Sequence, residues 1–174
     1  PNLEIRKCFK NDIQKRFDDV FKKDNLVDKI ANALFTGDTE FVQTNLRIYL
    51  KKFVSIRDTA TKVPQENYYH SFLNGVFTNC SKDFLTEYHS NYESGDGYAD
   101  ITFKSEYSDN AVIIEIKSAP VGTDLNPISK NAIAQIEDKH YVEPFLQNSM
   151  TQSIYAHGIA FAGKNCFISV KKIK

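Results

Sequence analysis

The chain has 174 residues and no formal net charge, because 22 lysines and arginines balance 22 aspartates and glutamates. Hydrophobic residues make up 41% and aromatic residues 13% of it, which is typical of one globular domain and excludes an intrinsically disordered chain. The neutral balance argues against a general polyanion binder, so any contact with nucleic acid has to come from a local patch or through a metal ion.

The first third of the chain predicts three helices. In Glu4–Lys23, apolar residues recur every four positions and form a single apolar stripe. A shorter helix is predicted over Asn25–Phe35, with Gly37 ending it. Asp38 is a candidate N-cap for a third helix that runs to about Arg57. This part contains no constellation that indicates chemistry, so a helical scaffold or docking subdomain is expected.

A fourth helix is predicted over Gln65–Cys80, because Pro64 suits the first turn of a helix and an apolar face follows it. Glu66 and His70 lie four residues apart and therefore share one side of this helix. Such a pair could hold a metal ion and carry a proton. On spacing alone, a solvated helix face explains it better.

The middle of the chain predicts three strands. Phe84–Ser90 is the first, followed by a turn over Asn91–Gly97 that is rich in Asn, Ser and Gly. Tyr98–Lys104 and Ala111–Lys117 are the second and third. The run Val112-Ile113-Ile114 is typical of a strand that is buried on both faces.

The last third predicts a loop over Ala119–Pro127 and one helix over Ile128–Leu146. Two strands follow, Ser153–Ala162 and Asn165–Ile173. The order helix–β–β–β–helix–β–β predicts an α/β fold of the α+β type, with a small mixed sheet flanked by helices and not a doubly wound Rossmann fold. A nucleotide-binding phosphate loop is not expected, because neither GxGxxG nor GxxxxGK[ST] occurs.

Cysteine spacing and hydropathy indicate which cellular compartment suits the chain and whether it contains a membrane segment. Cys8, Cys80 and Cys166 lie far apart and form no CxxC pair, which favours buried or incidental thiols in a reducing compartment. No apolar run approaches the roughly 18 residues that span a bilayer, so no membrane segment is expected. No signal peptide is visible. The sequence begins at Pro1 and not at Met, so it can be a piece of a longer protein, and the missing signal peptide does not determine where the protein is located.

Three charged residues fall at the ends of two predicted strands. Asp100 lies on one strand, and Glu115 and Lys117 lie two apart on the next, on the same face. Two carboxylates, the Ile116 carbonyl between the Glu and the Lys, and water can hold Mg²⁺, which activates a water and neutralises charge on a phosphodiester. A nearby lysine can orient that water and stabilise the phosphate. On spacing alone, an ordinary salt bridge at a strand end explains the trio equally well.

Five segments taken together resemble one family. In chain order they are Pro1–Arg6, the helix motif Glu66–Gly75, the Gly-rich segment Glu93–Ile101, the strand Ile113–Lys117 and the helix motif Ala134–Tyr141. With these segments in this order, the chain resembles the PD-(D/E)XK nuclease superfamily. The similarity is greatest to the branch that is often fused behind a AAA-ATPase-like domain in bacterial proteins.

The resemblance implies a restriction-endonuclease-like core over residues 64–174, with residues 1–60 as a helical extension of the same domain, 1–174. It implies metal-dependent hydrolysis of phosphodiester bonds, with DNA as the expected substrate and Mg²⁺ as the cofactor, for which Mn²⁺ can substitute. The implied partners are nucleic acid and an N-terminal ATPase-like domain or another protein. The implied location is the bacterial cytoplasm, or a host cell if the protein is delivered as an effector or toxin.

The resemblance also implies roles for the metal-site residues. Asp100 and Glu115 would be metal ligands and catalytic residues, together with the Ile116 backbone carbonyl as a ligand. Lys117 would position the attacking water or stabilise charge. Glu66 would be an additional acidic residue near the metal.

Further residues are expected to meet the substrate. Gln135 would line the catalytic site, and His70, Lys139 and Tyr141 would contact the nucleic acid. Tyr98 and Ala99 stand where the family often has an arginine or another polar residue, so one phosphate contact is expected to be missing.

Three functions are compatible with this sequence. The first is an active Mg²⁺-dependent nuclease. The second is a catalytically inactive nuclease-like module that binds nucleic acid or a protein partner, which the zero net charge and the extra helices keep open. The third is a metal-free structural domain. The intact set of Asp100, Glu115 and Lys117 favours the first, because a scaffold need not keep these residues.

Overall fold

A computed structural model describes residues 25–54, 65–80, 85–105 and 109–174. The helix predicted over Glu4–Lys23 lies outside these ranges. No helix within them is long and apolar enough to cross a membrane. The elements of the described residues are, in order, α1 (Leu26–Thr36), α2 (Thr39–Phe53), α3 (Gln65–Phe77), β1 (Leu85–Ser94), β2 (Gly97–Ser105), β3 (Asn110–Ser118), α4 (Leu125–Asp138), α5 (Glu143–Gln147), β4 (Ser153–Ala162) and β5 (Asn165–Lys172).

The five strands form one mixed sheet in the order β1-β2-β3-β4-β5. Strands β3 and β4 are parallel, and the other neighbours are antiparallel. On one face, α1, α2 and α3 pack against residues such as Ile114 and Ile116 of β3. On the other face, α4 packs against residues such as Ile113. The predicted α/β fold of the α+β type, with a small mixed sheet flanked by helices, is confirmed.

Local side-chain chemistry determines the junction between α1 and α2. Gly37 adopts a left-handed φ of 74° and ends α1, as predicted. The Asp38 carboxylate accepts a hydrogen bond of 3.0 Å from the Phe41 N–H and caps α2, also as predicted. The predicted end of α2 at Arg57 was wrong. The helix stops at Phe53 because Val54 takes an extended backbone, with ψ 123°, and buries its side chain.

The hairpin between β1 and β2 is tighter than the composition predicted. The segment Asn91–Gly97 was expected to be a turn, but strand pairing continues from Tyr92–Ala99 to Ser94–Gly97. Only two residues, Gly95 and Asp96, form the loop, and Gly95 supplies the positive φ of 54° that such a loop requires. Cross-strand pairing has overridden the turn preference of the residues before it.

The single helix expected over Ile128–Leu146 is two helices. Helix α4 begins earlier, at Leu125, because the Asp124 carboxylate accepts a hydrogen bond of 3.1 Å from the Asn126 N–H and because a proline is tolerated in the first turn. It ends at Asp138, and His140 then takes a left-handed φ of 56°. The end of the predicted range forms the separate short helix α5, Glu143–Gln147, which carries Pro144 in its first turn.

The three cysteines were expected to be buried or incidental thiols, and the core also contains a histidine. Cys166 is buried and Cys80 half-buried, and burial raises the pKa of both thiols to about 12, so both stay protonated. Cys8 lies outside the described ranges. His157 is fully buried and donates a hydrogen bond of 2.8 Å from Nε2 to the Leu34 carbonyl. Burial lowers its pKa to about 4, so it is a neutral core residue.

Gly158 on β4 is a point of very close approach between the sheet and α4. A Cβ at this position would lie 2.0 Å from the Ser129 carbonyl oxygen and 2.9 Å from the Ala132 Cβ. The obstacle is backbone, so α4 itself would have to move. We expect Gly158→Ala to lower the free energy of unfolding by roughly 2 to 3 kcal/mol, measured by chemical denaturation.

The matched control is Gly75→Ala in the interior of α3, where an added Cβ has no atom within 4 Å. It should be neutral or should stabilise the protein by up to about 1 kcal/mol, because alanine is the better helix former. Equal stability losses in the two variants would contradict the steric explanation.

Candidate active site

The candidate site lies where β2 and β3 separate. Their ladder ends at the pair Ile101–Ile114, so Asp100 on β2 and Glu115 on β3 come one residue beyond the last paired position. Side chains alternate along a strand, so Glu115 and Lys117 share the face of β3 that α4 covers. The separation leaves backbone groups of β3 available to side chains.

The Asp100 carboxylate contacts the backbone of β3 where the two strands separate. Its Oδ2 accepts a hydrogen bond of 2.7 Å from the Ile116 N–H. The N–H and C=O of one strand residue point to the same side, so the Ile116 carbonyl is also directed toward the β2 side. Burial raises the pKa of Asp100, while the hydrogen bond from Ile116 opposes the rise. A carboxylate and a backbone carbonyl are thus presented together.

Glu115 and Lys117 form a close pair in a nearly dry environment. The Lys117 Nζ donates to the Glu115 Oε1 at 2.9 Å, and the Glu115 side chain is only 4% exposed. Its second oxygen, Oε2, is buried and has no hydrogen-bond partner among the described residues. Burial, and then the charge of Asp100, raise the pKa of Glu115 to about 7.

Lys117 stays protonated at neutral pH. Burial acts to lower its pKa, but the hydrogen bond from Lys117 to Glu115 and the charge of that carboxylate outweigh burial, so the pKa of Lys117 is raised. The group is therefore an ammonium ion and a poor general base. Its chemistry is that of a fixed positive charge and hydrogen-bond donor.

Helix α3 brings a third carboxylate to the same strand end. The Glu66 Oε1 accepts a hydrogen bond of 3.3 Å from the Ser118 N–H, directly after Lys117. The charge of Glu66 helps raise the pKa values of Asp100, Glu115 and Lys117. The described site therefore gathers three acids around one ammonium ion, an excess of negative charge that favours a cation.

His70, on the next turn of α3, also reaches the site, but through the backbone. Its Nε2 lies 3.0 Å from the Asp100 carbonyl oxygen. A carbonyl only accepts, so the imidazole donates to it. The structure thus places Glu66 and His70 on the same side of α3, as predicted, and directs His70 at the main chain of Asp100.

The residues predicted on and after α4 lie at the start of β2. Gln135 donates to the Tyr141 hydroxyl at 3.5 Å, and that hydroxyl lies 3.1 Å from an ideal Cβ at Gly97. Tyr141 is buried, and the Lys139 side chain is exposed. The Lys139 carbonyl accepts a hydrogen bond of 2.8 Å from the Asp96 N–H, which ties the hairpin loop to the end of α4.

Sequence reasoning missed an irregular position beside the site. Asn91 takes a left-handed φ of 54° inside β1, opposite Asp100 when the strand register is continued. Asparagine tolerates this conformation better than most residues. The signal was present in the sequence, but Asn91 was assigned to the hairpin turn instead.

The donor set fits a hard divalent cation. Glu115 Oε2 is a buried carboxylate oxygen that lacks a partner, and Asp100 and the Ile116 carbonyl add oxygen donors. Across residues 25–54, 65–80, 85–105 and 109–174, no group of three or more His, Cys, Asp or Glu residues is arranged to hold a metal ion. A backbone carbonyl and water would have to complete the coordination, which suits Mg²⁺.

Comparison with protein families decides the relationship. A family model of the PD-(D/E)XK nuclease superfamily matches residues 64–171, from α3 to β5 and more than half of the chain. The chain belongs to the PD-(D/E)XK nuclease superfamily. Its sheet and flanking helices form a restriction-endonuclease-like core, in a superfamily of hydrolases that act on nucleic acid and generally use divalent metals such as Mg²⁺. No curated protein matches the chain significantly.

Proposed function

We propose that this superfamily member is an active metal-dependent nuclease that hydrolyses phosphodiester bonds of DNA. The proposal rests on the buried Glu115 oxygen without a partner, beside Asp100 and the Lys117 ammonium. An ion pair that served stability alone would not be expected to leave such an oxygen, because an unsatisfied buried acceptor lowers stability. A site that receives a cation explains it.

Asp100, Glu115 and the Ile116 carbonyl would hold the Mg²⁺ or Mn²⁺ ion, with Glu66 as the additional acid at the edge. When bound, the cation lowers the pKa of a water and neutralises charge on the phosphodiester. The Ile116 N–H holds the Asp100 carboxylate in place before any substrate arrives. The buried β3 strand keeps Glu115 shielded from solvent, which strengthens its interaction with charge.

Lys117 supplies the positive charge that comes from the chain itself. Because its pKa is raised, it does not remove a proton from the attacking water. Its Nζ orients that water and stabilises the negative charge that develops on the phosphate. Glu115 holds the Nζ at 2.9 Å, so the ammonium is positioned in advance.

Contacts with the nucleic acid are proposed for residues around this centre. Gln135 lines the site, and the exposed Lys139 offers a charge to the phosphate backbone. The buried Tyr141 acts through its hydroxyl, which accepts a hydrogen bond from Gln135. Tyr98 is 61% exposed where the family often has an arginine or another polar residue. An aromatic side chain at this position can stack on a base, although it offers no charge to a phosphate.

The wider context is proposed from the resemblance alone. It includes an N-terminal ATPase-like domain or another protein partner, and a bacterial cytoplasmic location or delivery into a host cell. The division into a helical extension over residues 1–60 and a nuclease core over residues 64–174 also stays a prediction.

The proposal is tested by incubating the protein with plasmid DNA, linear DNA and RNA, in Mg²⁺, in Mn²⁺ and in chelator. We expect DNA cleavage with either metal and none with chelator. Asp100→Asn should abolish cleavage, because it removes a charged metal ligand. Asp138→Asn, an exposed acid at the end of α4, is the matched control and should cleave normally.

Two results would contradict the proposal. Cleavage that persists in chelator would show that no divalent ion is needed. A failure to cleave any DNA or RNA, with nucleic-acid binding retained, would identify the protein as the inactive nuclease-like binding module.

A further inference from the structure

The main chain of Asp100 lies at a gap in the described sheet. The β2–β3 pairs end at Ile101–Ile114, and the β1–β2 pairs pass from Ser90–Ile101 to Tyr92–Ala99 without pairing Asp100. Asn91, opposite, is the left-handed residue that interrupts the ladder. Sheet bulges and breaks of this kind often re-aim a side chain beside an active site.

His70 compensates for the gap. Its Nε2 donates to the Asp100 carbonyl at 3.0 Å and lies 3.1 Å from the Ser90 Oγ, so one N–H is shared between two acceptors. The carbonyl of a residue that sits outside both ladders therefore has a donor from helix α3. The imidazole connects α3, β1 and β2 at Asp100, the proposed metal ligand.

The His70 ring is itself held by a chain of hydrogen bonds. The Asn74 Nδ2 donates to the Ser90 Oγ at 3.0 Å, and the Tyr88 hydroxyl donates to the Asn74 Oδ1. Burial raises the pKa of Tyr88, so its hydroxyl keeps the proton that it donates. The Tyr88 ring stacks on Phe103, with centroids 6.3 Å apart, which anchors this chain to the core.

We propose that His70 is a positioning residue that holds the Asp100 main chain, and through it the Asp100 carboxylate, in the geometry required for metal binding. The resemblance to the superfamily implies a different role for His70, a contact with the nucleic acid. The role assigned here rests on the proposed metal-dependent function, since it concerns the affinity for the ion. The network of Ser90, Asn74 and Tyr88 keeps the imidazole directed at the backbone.

The test compares His70→Ala and His70→Gln in two assays. In the first, Mn²⁺ binding followed by electron paramagnetic resonance should weaken about 10- to 100-fold in His70→Ala, the usual effect of removing a residue that orients a ligand. His70→Gln should stay within a few-fold of the wild type, because its amide N–H can reach the same carbonyl. At saturating Mn²⁺, kcat of His70→Ala should recover while KM for DNA stays unchanged.

The second assay needs no metal. Hydrogen exchange of the Ile116 amide, which donates to Asp100, should become at least about 10-fold faster in metal-free His70→Ala if the carboxylate is released, and not in His70→Gln. Ser71→Ala is the matched control: this exposed hydroxyl donates to the Asn67 carbonyl of its own helix and should change neither readout.

Each contrary result has one meaning. A raised KM for DNA with unchanged Mn²⁺ affinity would make His70 a substrate contact and overturn the positioning role. Unchanged Ile116 exchange in His70→Ala would overturn it as well. A wild-type protein that binds no Mn²⁺ would overturn the proposed nuclease function, while the metal-free exchange measurement still decides whether His70 positions Asp100.

Discussion

Replacing Lys117 with alanine is expected to lower kcat for DNA cleavage by about 100- to 1000-fold, the range observed when one preorganised donor to a developing negative charge is removed. The substrate should still bind, because the charge acts mainly as the phosphate passes through its transition state. Single-turnover cleavage in Mg²⁺ measures the first quantity. DNA affinity in Ca²⁺, where no cleavage is expected, measures the second.

The control for this variant is Lys130→Ala, which removes an exposed lysine from α4. It lowers the net charge equally, so any general electrostatic effect on DNA binding should appear in both variants. Cleavage by Lys117→Ala at the wild-type rate would exclude a catalytic role for this lysine. Equal rate losses in both variants would attribute the effect to net charge alone.

Replacing Glu115 with glutamine should stabilise the metal-free protein at alkaline pH while abolishing cleavage. The pKa of Glu115 is about 7 in the folded state and about 4.5 when unfolded. Below pH 4.5 both states are protonated and the group has no effect. Between the two pKa values the unfolded state releases its proton first, so stability falls as the pH rises, by up to about 3 kcal/mol above pH 7.

Glutamine carries no charge and avoids this loss. The stability difference between Glu115→Gln and the wild type should therefore be greatest near pH 8 and vanish toward pH 4.5. Mg²⁺ at 1000 times Kd should reverse the order, because it stabilises the wild type by about 4.1 kcal/mol, more than the loss at pH 8, and the variant lacks a ligand. Chemical denaturation at several pH values, with and without Mg²⁺, measures both effects.

Glu137→Gln is the control for Glu115→Gln. Glu137 is exposed and pairs with Lys171 on the surface, so its removal should change stability little at any pH and should not alter the Mg²⁺ effect. A Glu115→Gln variant that is less stable than the wild type at pH 8 without metal would contradict the interpretation that burial of the Glu115 carboxylate costs more than its ion pair with Lys117 returns.

Much of the fold was predictable from local patterns. The apolar runs of β3 and β4 are characteristic of buried strands, and Asp38 is a characteristic helix cap, so both strands and the start of α2 formed where predicted. Long-range pairing explains the exceptions. The segment Asn91–Ser94 has turn-forming residues, but pairing of its last three residues with β2 holds the segment in a strand.

The course of the helix after β3 also depended on context. Pro127 was interpreted as part of a loop, whereas the Asp124 cap allows α4 to start before it. The end of α4 was missed because the left-handed backbone of His140 has no strong signal in the sequence. The His140 Nδ1 donates a hydrogen bond of 3.0 Å to Asp96 in the loop of the β1–β2 hairpin. This contact exists only after the hairpin has packed against the end of α4.

The sequence by itself determined which groups are available: Asp100, and Glu115 and Lys117 two residues apart on one strand face, together with the family motifs that surround them. Tertiary structure decided how deeply those groups are buried and which hydrogen-bond partners they have. Burial and the end of the β2–β3 ladder leave Glu115 with an unpartnered oxygen, direct Asp100 to the Ile116 N–H and bring Glu66 to the strand end. These properties depend on desolvation and on contacts across long sequence separations, which spacing along the chain does not encode.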